Sequence, residues 1–414
     1  MRQEELETVL EMLCEGFQLP LKATHEAFLA NPYFSLENTR VWRVNGQVVS
    51  SLMVVDTVCR LGKGTARLAG IAGVVTKLQE RQRGYAGQLL TETIPALEEQ
   101  GFALTALFPT SYSYYQKFGW ETCGLAYRLF ISPDHLLTFS EARHVHNASP
   151  DEIPELQHLY DTHNATRTLT CLRDAKRWQH LLNVTKQRVV YAPHRGQVEG
   201  YLLYEHRAFP QVGQEDMAPG VTLPPNLHIL EMVVATPAAQ RGLLGYLAKQ
   251  SNMGSIEYTA SWHDIQESGF LEPLATATGG DVLASIEVVP AVMVRILNFK
   301  RCIQALCPNW VGFDGTLGLG MYDTQRGHAS YLVVQGTGQG EPQVIGVSGI
   351  YELQEGMKGT VQAWNQVITG HHSAEEALAR GLLSPIPHAT PHTTEMASHL
   401  FPSRHPFLPL PDHF

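Results

Sequence analysis

Two stretches of this chain carry residues whose types and spacing can do chemistry. The first is Arg81-Gln82-Arg83-Gly84-Tyr85-Ala86, a basic turn hinged on a glycine. It follows the apolar run Leu68 to Val75 and opens a helical pattern in which Ala86, Leu89, Leu90, Ile94 and Leu97 share one face. A strand, a turn of this kind and a helix N-terminus together hold a pyrophosphate. Backbone N–H groups converge there, the helix end adds partial positive charge, and Gly84 lets the backbone come close. No Gly-Lys-Ser/Thr follows, and the glycine spacing is not that of a dinucleotide fingerprint. The second stretch, Tyr114-Tyr115-Gln116-Lys117-Phe118-Gly119-Trp120, places Tyr115 on a short helix, where from the residues alone it could equally be a packing group.

Local patterns supply the elements that position these groups. Residues 6–17 and 23–29 read as amphipathic helices, and residues 40–44 and 47–55 as strands around Asn45-Gly46, a two-residue hairpin signal. Ala103 to Phe108 reads as a short buried strand. Pro109-Thr110-Ser111 then starts a short helix carrying Tyr115, with a hydroxyl as N-cap. Pro95 is expected to kink the helix that follows the basic turn. Further on, residues 152–162 and 174–182 read as helices, 189–192 and 200–204 as strands, and 208–226 as a Pro/Gly-rich loop. Leu230 to Leu244 then repeats the strand–loop–helix theme, with Arg241 alone in its loop and no counterpart of residues 114–120 after it. The pattern shifts again at Met293-Val294-Arg295-Ile296-Leu297-Asn298. A helix to Leu306, strands over 315–322, 329–334 and 342–347, and helices over 360–368 and 374–382 follow.

Composition bounds the partners. A chain of 414 residues is expected to hold two or three domains. The net charge of −10 argues against general nucleic-acid binding and mildly favours a cationic substrate. No apolar run is long enough for a membrane span, and the acidic start, Met1 to Glu7, lacks the apolar core of a secretory signal, so a cytoplasmic location is expected. Six scattered cysteines without a CxxC fit free, mostly buried thiols; Cys302 and Cys307 form at most a weak metal pair. The nineteen histidines form no metal-binding spacing; His371-His372 and the His388/His392 region read as solvated loop residues, and no metal is expected.

The turn at 81–86 resembles the acetyl-CoA pyrophosphate loop of the GCN5-related N-acetyltransferases, and residues 115–120 resemble the segment that closes their core. In order along the chain, these two motifs, the MVRILNF junction and a tail ending in an aromatic residue resemble the enhanced intracellular survival (Eis) family of bacterial N-acetyltransferases. The resemblance implies an α/β (α+β) chain with an acetyltransferase domain over 1–140, a degenerate second one over 141–290, and a sterol-carrier-protein-like domain over 291–414. It implies acetyl transfer from acetyl-CoA to an amine: an aminoglycoside, a polyamine or a lysine side chain. It also implies a homo-oligomer, commonly a hexamer.

Carried over, the cofactor-binding residues are Val74, Val75, Thr76, Arg81, Gln82, Arg83, Gly84, Tyr85, Ala86, Gly87, Thr110 and Ser111. Residues 67–76 contain no carboxylate, so the base must come from elsewhere. The resemblance implies the α-carboxylate of Phe414 as base, with Tyr115 as the acid that protonates the leaving thiolate. Pro402, Pro406, Pro409 and Pro411 stiffen the tail, and Phe401, Phe407, Leu408, Leu410 and Phe414 suit it to a groove. Asp412 and His413 are alternative bases. Tyr33, Phe34 and Trp42 are candidates for the acceptor pocket, with acidic residues selecting cations. The competing reading is a non-catalytic acyl-CoA or lipid-binding protein working through its C-terminal domain.

Overall fold

The computed structural model describes residues 1–194, 196–207, 225–250, 253–267, 284–386 and 389–414. Most of the expected loop at 208–226, and His388, lie outside the described residues. The chain begins with helix α1 (Leu6–Phe17), which buries Val9, Leu10, Met12 and Leu13, and α2 (Leu21–Ala30). Strands β1 (Thr39–Val44) and β2 (Gln47–Leu61) form the hairpin. Its turn residues Asn45 and Gly46 have φ of +51° and +80°, the signs a type I′ turn requires. Then come β3 (Gly64–Thr76), α3 (Tyr85–Glu99), β4 (Leu104–Leu107), α4 (Tyr112–Gln116) and β5 (Glu121–Thr122). Helix α3 runs on through Pro95, because Leu89, Leu90, Ile94 and Leu97 hold it to the sheet on both sides of the proline.

The middle of the chain comprises β6 (Leu125–Ile131), β7 (Val145–Asn147), α5 (Ile153–Asn164), β8 (Thr168–Cys171), α6 (Ala175–Val184), β9 (Gln187–Tyr191), β10 (Gly200–Arg207), β11 (Asn226–Val234), α7 (Pro237–Ala248), β12 (Ile256–Ala260) and β13 (Ala284–Pro290). The last part holds β14 (Met293–Ile296), α8 (Phe299–Leu306), β15 (Asp314–Asp323), β16 (His328–Thr337), β17 (Gln343–Val347), β18 (Gly356–Thr360), α9 (Val361–Thr369), α10 (Ala374–Ala379), β19 (Leu383–Pro385) and α11 (Pro391–Leu400).

Among the described residues these strands form three sheets. The first has the order β1-β2-β3-β4-β14-β5, with β8 added to the far end of β2. The second runs β13-β6-β12-β11-β10-β9-β7 and the third β17-β16-β15-β18-β19. Strand exchange couples them. Residues 125–131, expected in the first unit, pair with β12 and β13 of the second sheet. Met293–Ile296, expected to open the third unit, fills the slot between β4 and β5 in the first. One core then spans the join: Leu68 and Leu104 from the first sheet pack in the same cluster as Val294, Phe299, Leu319 and Trp364. Asn365 on α9 ties that join, accepting from the Ile296 N–H (2.9 Å) and donating to the Gly119 carbonyl (2.9 Å).

The expectations for cysteine and histidine resolve in physical terms. All six cysteines are free, and Cys302 donates its thiol to the Ala103 carbonyl at 3.2 Å. His371 and His372 are half-buried, with rings 4.6 Å apart, and so are not the solvated pair expected from sequence. Burial, then the neighbouring His372, holds the His371 imidazole down to about 4, and it stays neutral.

Candidate active site

Strand β3 sets up the site through a defect in its pairing. Ser51 stands opposite Val75, but Met53 stands opposite Ala72, so β3 carries an extra residue against Leu52. Gly73 takes up this bulge at φ +58°. On its other side β3 pairs with β4 in parallel only over Leu68–Gly70. Beyond that the two strands part, leaving the edge of β3 from Ile71 to Thr76 facing a wedge-shaped opening.

The basic turn closes one end of the opening. Gln82 (φ +65°) and Gly84 (φ +82°) both adopt left-handed backbone. Alternation of left- and right-handed residues aims successive N–H groups at one point. Gly84 is the N-cap of α3 and supplies no side-chain cap, so the helix end stays open. Arg81 turns back to donate to the Thr76 carbonyl at 3.3 Å, whereas Arg83 pairs outward with Glu80 at 3.1 Å.

Helix α4 closes the other side. Gly87 lies beneath Phe118, whose ring would stand 2.8 Å from a Cβ at that position. This contact lets the open end of α3 approach the helix that carries Tyr115. Tyr115 is buried, edge-on to Tyr114 (5.2 Å) and Trp120 (6.3 Å). Burial, then Tyr114, pushes its phenol up to about 12. Ser111 is the N-cap of α4, as expected, but its hydroxyl makes no cap bond and meets Ser113 instead (3.5 Å).

A groove of about 660 Å³ collects Val74, Val75, Thr76, Arg81, Gln82, Gly84, Tyr85, Ala86, Thr110, Ser111 and Tyr115 in its walls. Arg83 and Gly87 are not among its lining residues. Sequence reasoning missed Gly16 and Phe17, which bring the end of α1 into the wall. Gly16 is close-packed, since a Cβ there would meet the Val75 side chain at 2.5 Å.

Phe414 lies outside this groove, on the neighbouring part of β3. Its ring covers Gly70, where a Cβ would meet it at 2.6 Å, and stands 5.7 Å from Phe108 at the end of β4. His413 stacks on Phe108 at 3.7 Å. Asp412 is fully buried: Arg173 holds it (Nε to Oδ1 3.0 Å), Arg177 holds it (Nε to Oδ1 3.1 Å), and the Tyr160 hydroxyl donates to Oδ2 (3.1 Å). Burial alone would raise its carboxyl, but the two guanidiniums outweigh burial and hold it below the usual range. So held in its ionised form between two guanidiniums, Asp412 is a poor proton acceptor.

Phe414 also lines a cavity of about 190 Å³ with Tyr33, Met53, Val55, Leu181 and Val184. Arg177, His180, Tyr33 and His413 are its charged or titratable side chains, and no acidic side chain is among the described lining residues. The expectation of acidic selectors is therefore not met there. Phe34 packs on Phe28 (4.2 Å) in the cluster that includes Phe414, but Trp42 packs in the α3 core instead.

The echo in the second half is built differently at its helix start. Strand β11 leads into α7 as β3 leads towards α3. Here Thr236 caps the helix, accepting from the Ala239 N–H (3.1 Å), and Pro237 removes one N–H. The Glu199 carboxylate accepts from the Thr236 hydroxyl at 2.8 Å, placing negative charge where an anion would sit. Arg241 is committed to Glu141 at 2.8 Å.

Comparison with known proteins agrees with this geometry. Residues 1–123 match one acetyltransferase (GNAT) domain family, and residues 169–296 match another. No curated protein matches the chain. Among solved structures, a GCN5-related N-acetyltransferase from Anabaena variabilis superposes with a TM-score of 0.78 at 18% identity, covering 100% of this chain and 98% of that one. A probable N-acyltransferase from Enterococcus faecalis gives 0.76 at 18%, and Eis1 from Mycobacterium abscessus gives 0.70 at 15%, each with the same coverage. At these identities the likeness is one of fold. The chain thus carries two acetyltransferase (GNAT) domains in tandem, on a fold shared along its length with solved acyltransferase-type structures.

Proposed function

We propose that the chain transfers the acetyl group of acetyl-CoA to a primary amine, with the first domain as the catalytic one and the second unable to hold the coenzyme. The observation that carries this reading is the groove that joins an open strand edge, an uncapped helix end and a buried phenol. Acetyl-CoA would supply an activated thioester, held through its diphosphate and its amide-bearing arm. The Arg81–Ala86 turn suits the diphosphate by converging N–H groups and positive charge. The free edge of β3 suits an extended amide chain, which pairs with it as an added strand does. N–H groups around Val74–Thr76 would donate to the thioester oxygen as charge builds on it. Thr110 and Ser111 add hydroxyls on the facing wall.

Tyr115 supports the leaving sulfur. With its phenol near 12 it is a weaker acid than a free thiol near 8.5, so giving up its proton outright costs about 5 kcal/mol. It acts by donating a hydrogen bond as charge grows on sulfur, and any proton it yields is replaced by the one the nitrogen loses as the C–N bond forms. The proton removed earlier, to make the ammonium a neutral amine, is the one the base takes. The α-carboxylate of Phe414 is the base for that amine. The 190 Å³ cavity beside Phe414 is the acceptor's seat. Its apolar walls favour an amine with a compact apolar body, since a second buried ammonium would find no carboxylate side chain there. Within this reading the C-terminal sheet braces the first domain, consistent with the core they share.

The phenol works in its protonated form, so activity falls only as pH rises through its pKa. Burial moves that fall beyond the ordinary tyrosine value. kcat for acetyl transfer is expected to show no falling limb up to a pH of about 10.5; a fall centred near 10 would show that the phenol is not perturbed.

The reading as a whole is tested by calorimetric titration with acetyl-CoA and by thiol release with a panel of amines. Gly84→Val forces a β-branched residue into left-handed backbone at a cost of about 1–2 kcal/mol. It is expected to weaken acetyl-CoA binding about tenfold. A wild-type chain that binds no acetyl-CoA ends the proposal.

A further inference from the structure

Two clefts in this molecule share one construction. In each, two parallel strands pair over three residues and then part: β3 from β4 after Gly70, and β11 from β12 after Ile229. The first cleft opens into the groove. The second is filled by the chain itself, with Phe407, Pro409 and Leu410 set against Leu230, Met232 and Tyr258. The same segment is also pinned to the first sheet, the Phe407 N–H donating to the Thr168 carbonyl of β8 at 3.1 Å.

The segment ends in a latch of four buried charges. Arg173 bridges Asp412 to Glu231 of β11, donating from Nη1 to Glu231 Oε1 at 2.9 Å. The Tyr201 hydroxyl completes Glu231 at 2.6 Å. Arg177 reaches the first sheet through Thr57 (2.7 Å) and holds the Asp412 carbonyl (3.1 Å). Two cations meet two anions, and the four are tied to β2, β11 and the tail at once. Asp412 stands two residues before Phe414, so fixing it leaves the last residue little reach.

We propose that the second acetyltransferase fold serves as a seat for the C-terminal segment, and that Asp412 is a positioning residue for the reaction in the first. The latch decides where His413 and Phe414 land on Phe108 and Gly70. This rests on the role given to Phe414 above. The inert features at the start of α7 then have a use: a cleft closed to coenzyme is free to take the tail.

The test is Asp412→Asn in the full chain, with Phe407→Ala as a second variant that leaves no buried charge unpaired. A misplacement of about 1 Å at a reacting group costs about 10² in rate. Asp412→Asn is expected to lower kcat ten- to a hundredfold, and Phe407→Ala about tenfold, while calorimetric Kd for acetyl-CoA stays within about twofold. Asp412→Glu should recover part of the loss. Limited proteolysis followed by mass spectrometry should find new cleavage within residues 402–414 in both variants. Unchanged kcat in both, or a tail that stays protected in both, overturns the proposal. If Asp412→Asn does not fold, Phe407→Ala decides alone. A wild-type enzyme that acetylates no amine ends the transfer reading separately, and tail protection still decides whether the seat exists.

Discussion

Tyr115→Phe is expected to lower kcat for acetyl transfer by about 10²–10³, with Kd for acetyl-CoA within about twofold of wild type. The substitution removes one oxygen and nothing else. The ring stays edge-on to Tyr114 and Trp120, so the α4 core keeps its packing and the groove its shape. What is lost is the donor facing the sulfur at the moment charge builds, an interaction made in the transition state and not in the bound ground state. Tyr115→Ala is the poorer experiment, because emptying a buried aromatic site costs about 3–5 kcal/mol of stability and mixes unfolding with chemistry. Thiol release and calorimetry on the same preparation check the prediction. A Phe variant with wild-type kcat would leave the phenol as a packing group.

Extending the chain by a Gly-Ser pair after Phe414 is expected to lower kcat by about 10²–10⁴ with acetyl-CoA binding unchanged. Two extended residues displace the carboxylate by about 7 Å and leave a neutral amide in its place. The ring over Gly70 and the stack of His413 on Phe108 need not change, so the loss isolates the charge from the packing. Phe414→Ala is the companion. It keeps the carboxylate and removes the ring, and a loss larger than that of the extension would assign the effect to packing.

Much of this fold could be read locally. The helix over 6–17, the Asn45-Gly46 hairpin and the strand–turn–helix around 81–86 are written in short-range periodicity and turn chemistry, which act over a few residues. The echo at 230–244 was visible for the same reason. What escaped was set by partners far away in the chain. Nothing within residues 125–131 says that they leave the first sheet, nor within 293–296 that they complete it, because a strand's neighbour is chosen by packing. Asp412 read as a spare base for the same reason: its neutralising arginines lie at 173 and 177. The wall formed by Gly16 and Phe17 was hidden because the end of α1 reaches the groove only after β3 has bent.

The strand β14 has a consequence for how the molecule is made. A ribosome that has emitted the first 140 residues has produced an N-terminal part whose sheet lacks its penultimate strand, since Met293–Ile296 sits between β4 and β5. At about 5–20 residues per second, the gap stays open for about 8–30 s of synthesis. During that time Leu104 and Leu107 border an unsatisfied ladder. A cut anywhere between β5 and Met293 leaves the first sheet without that strand.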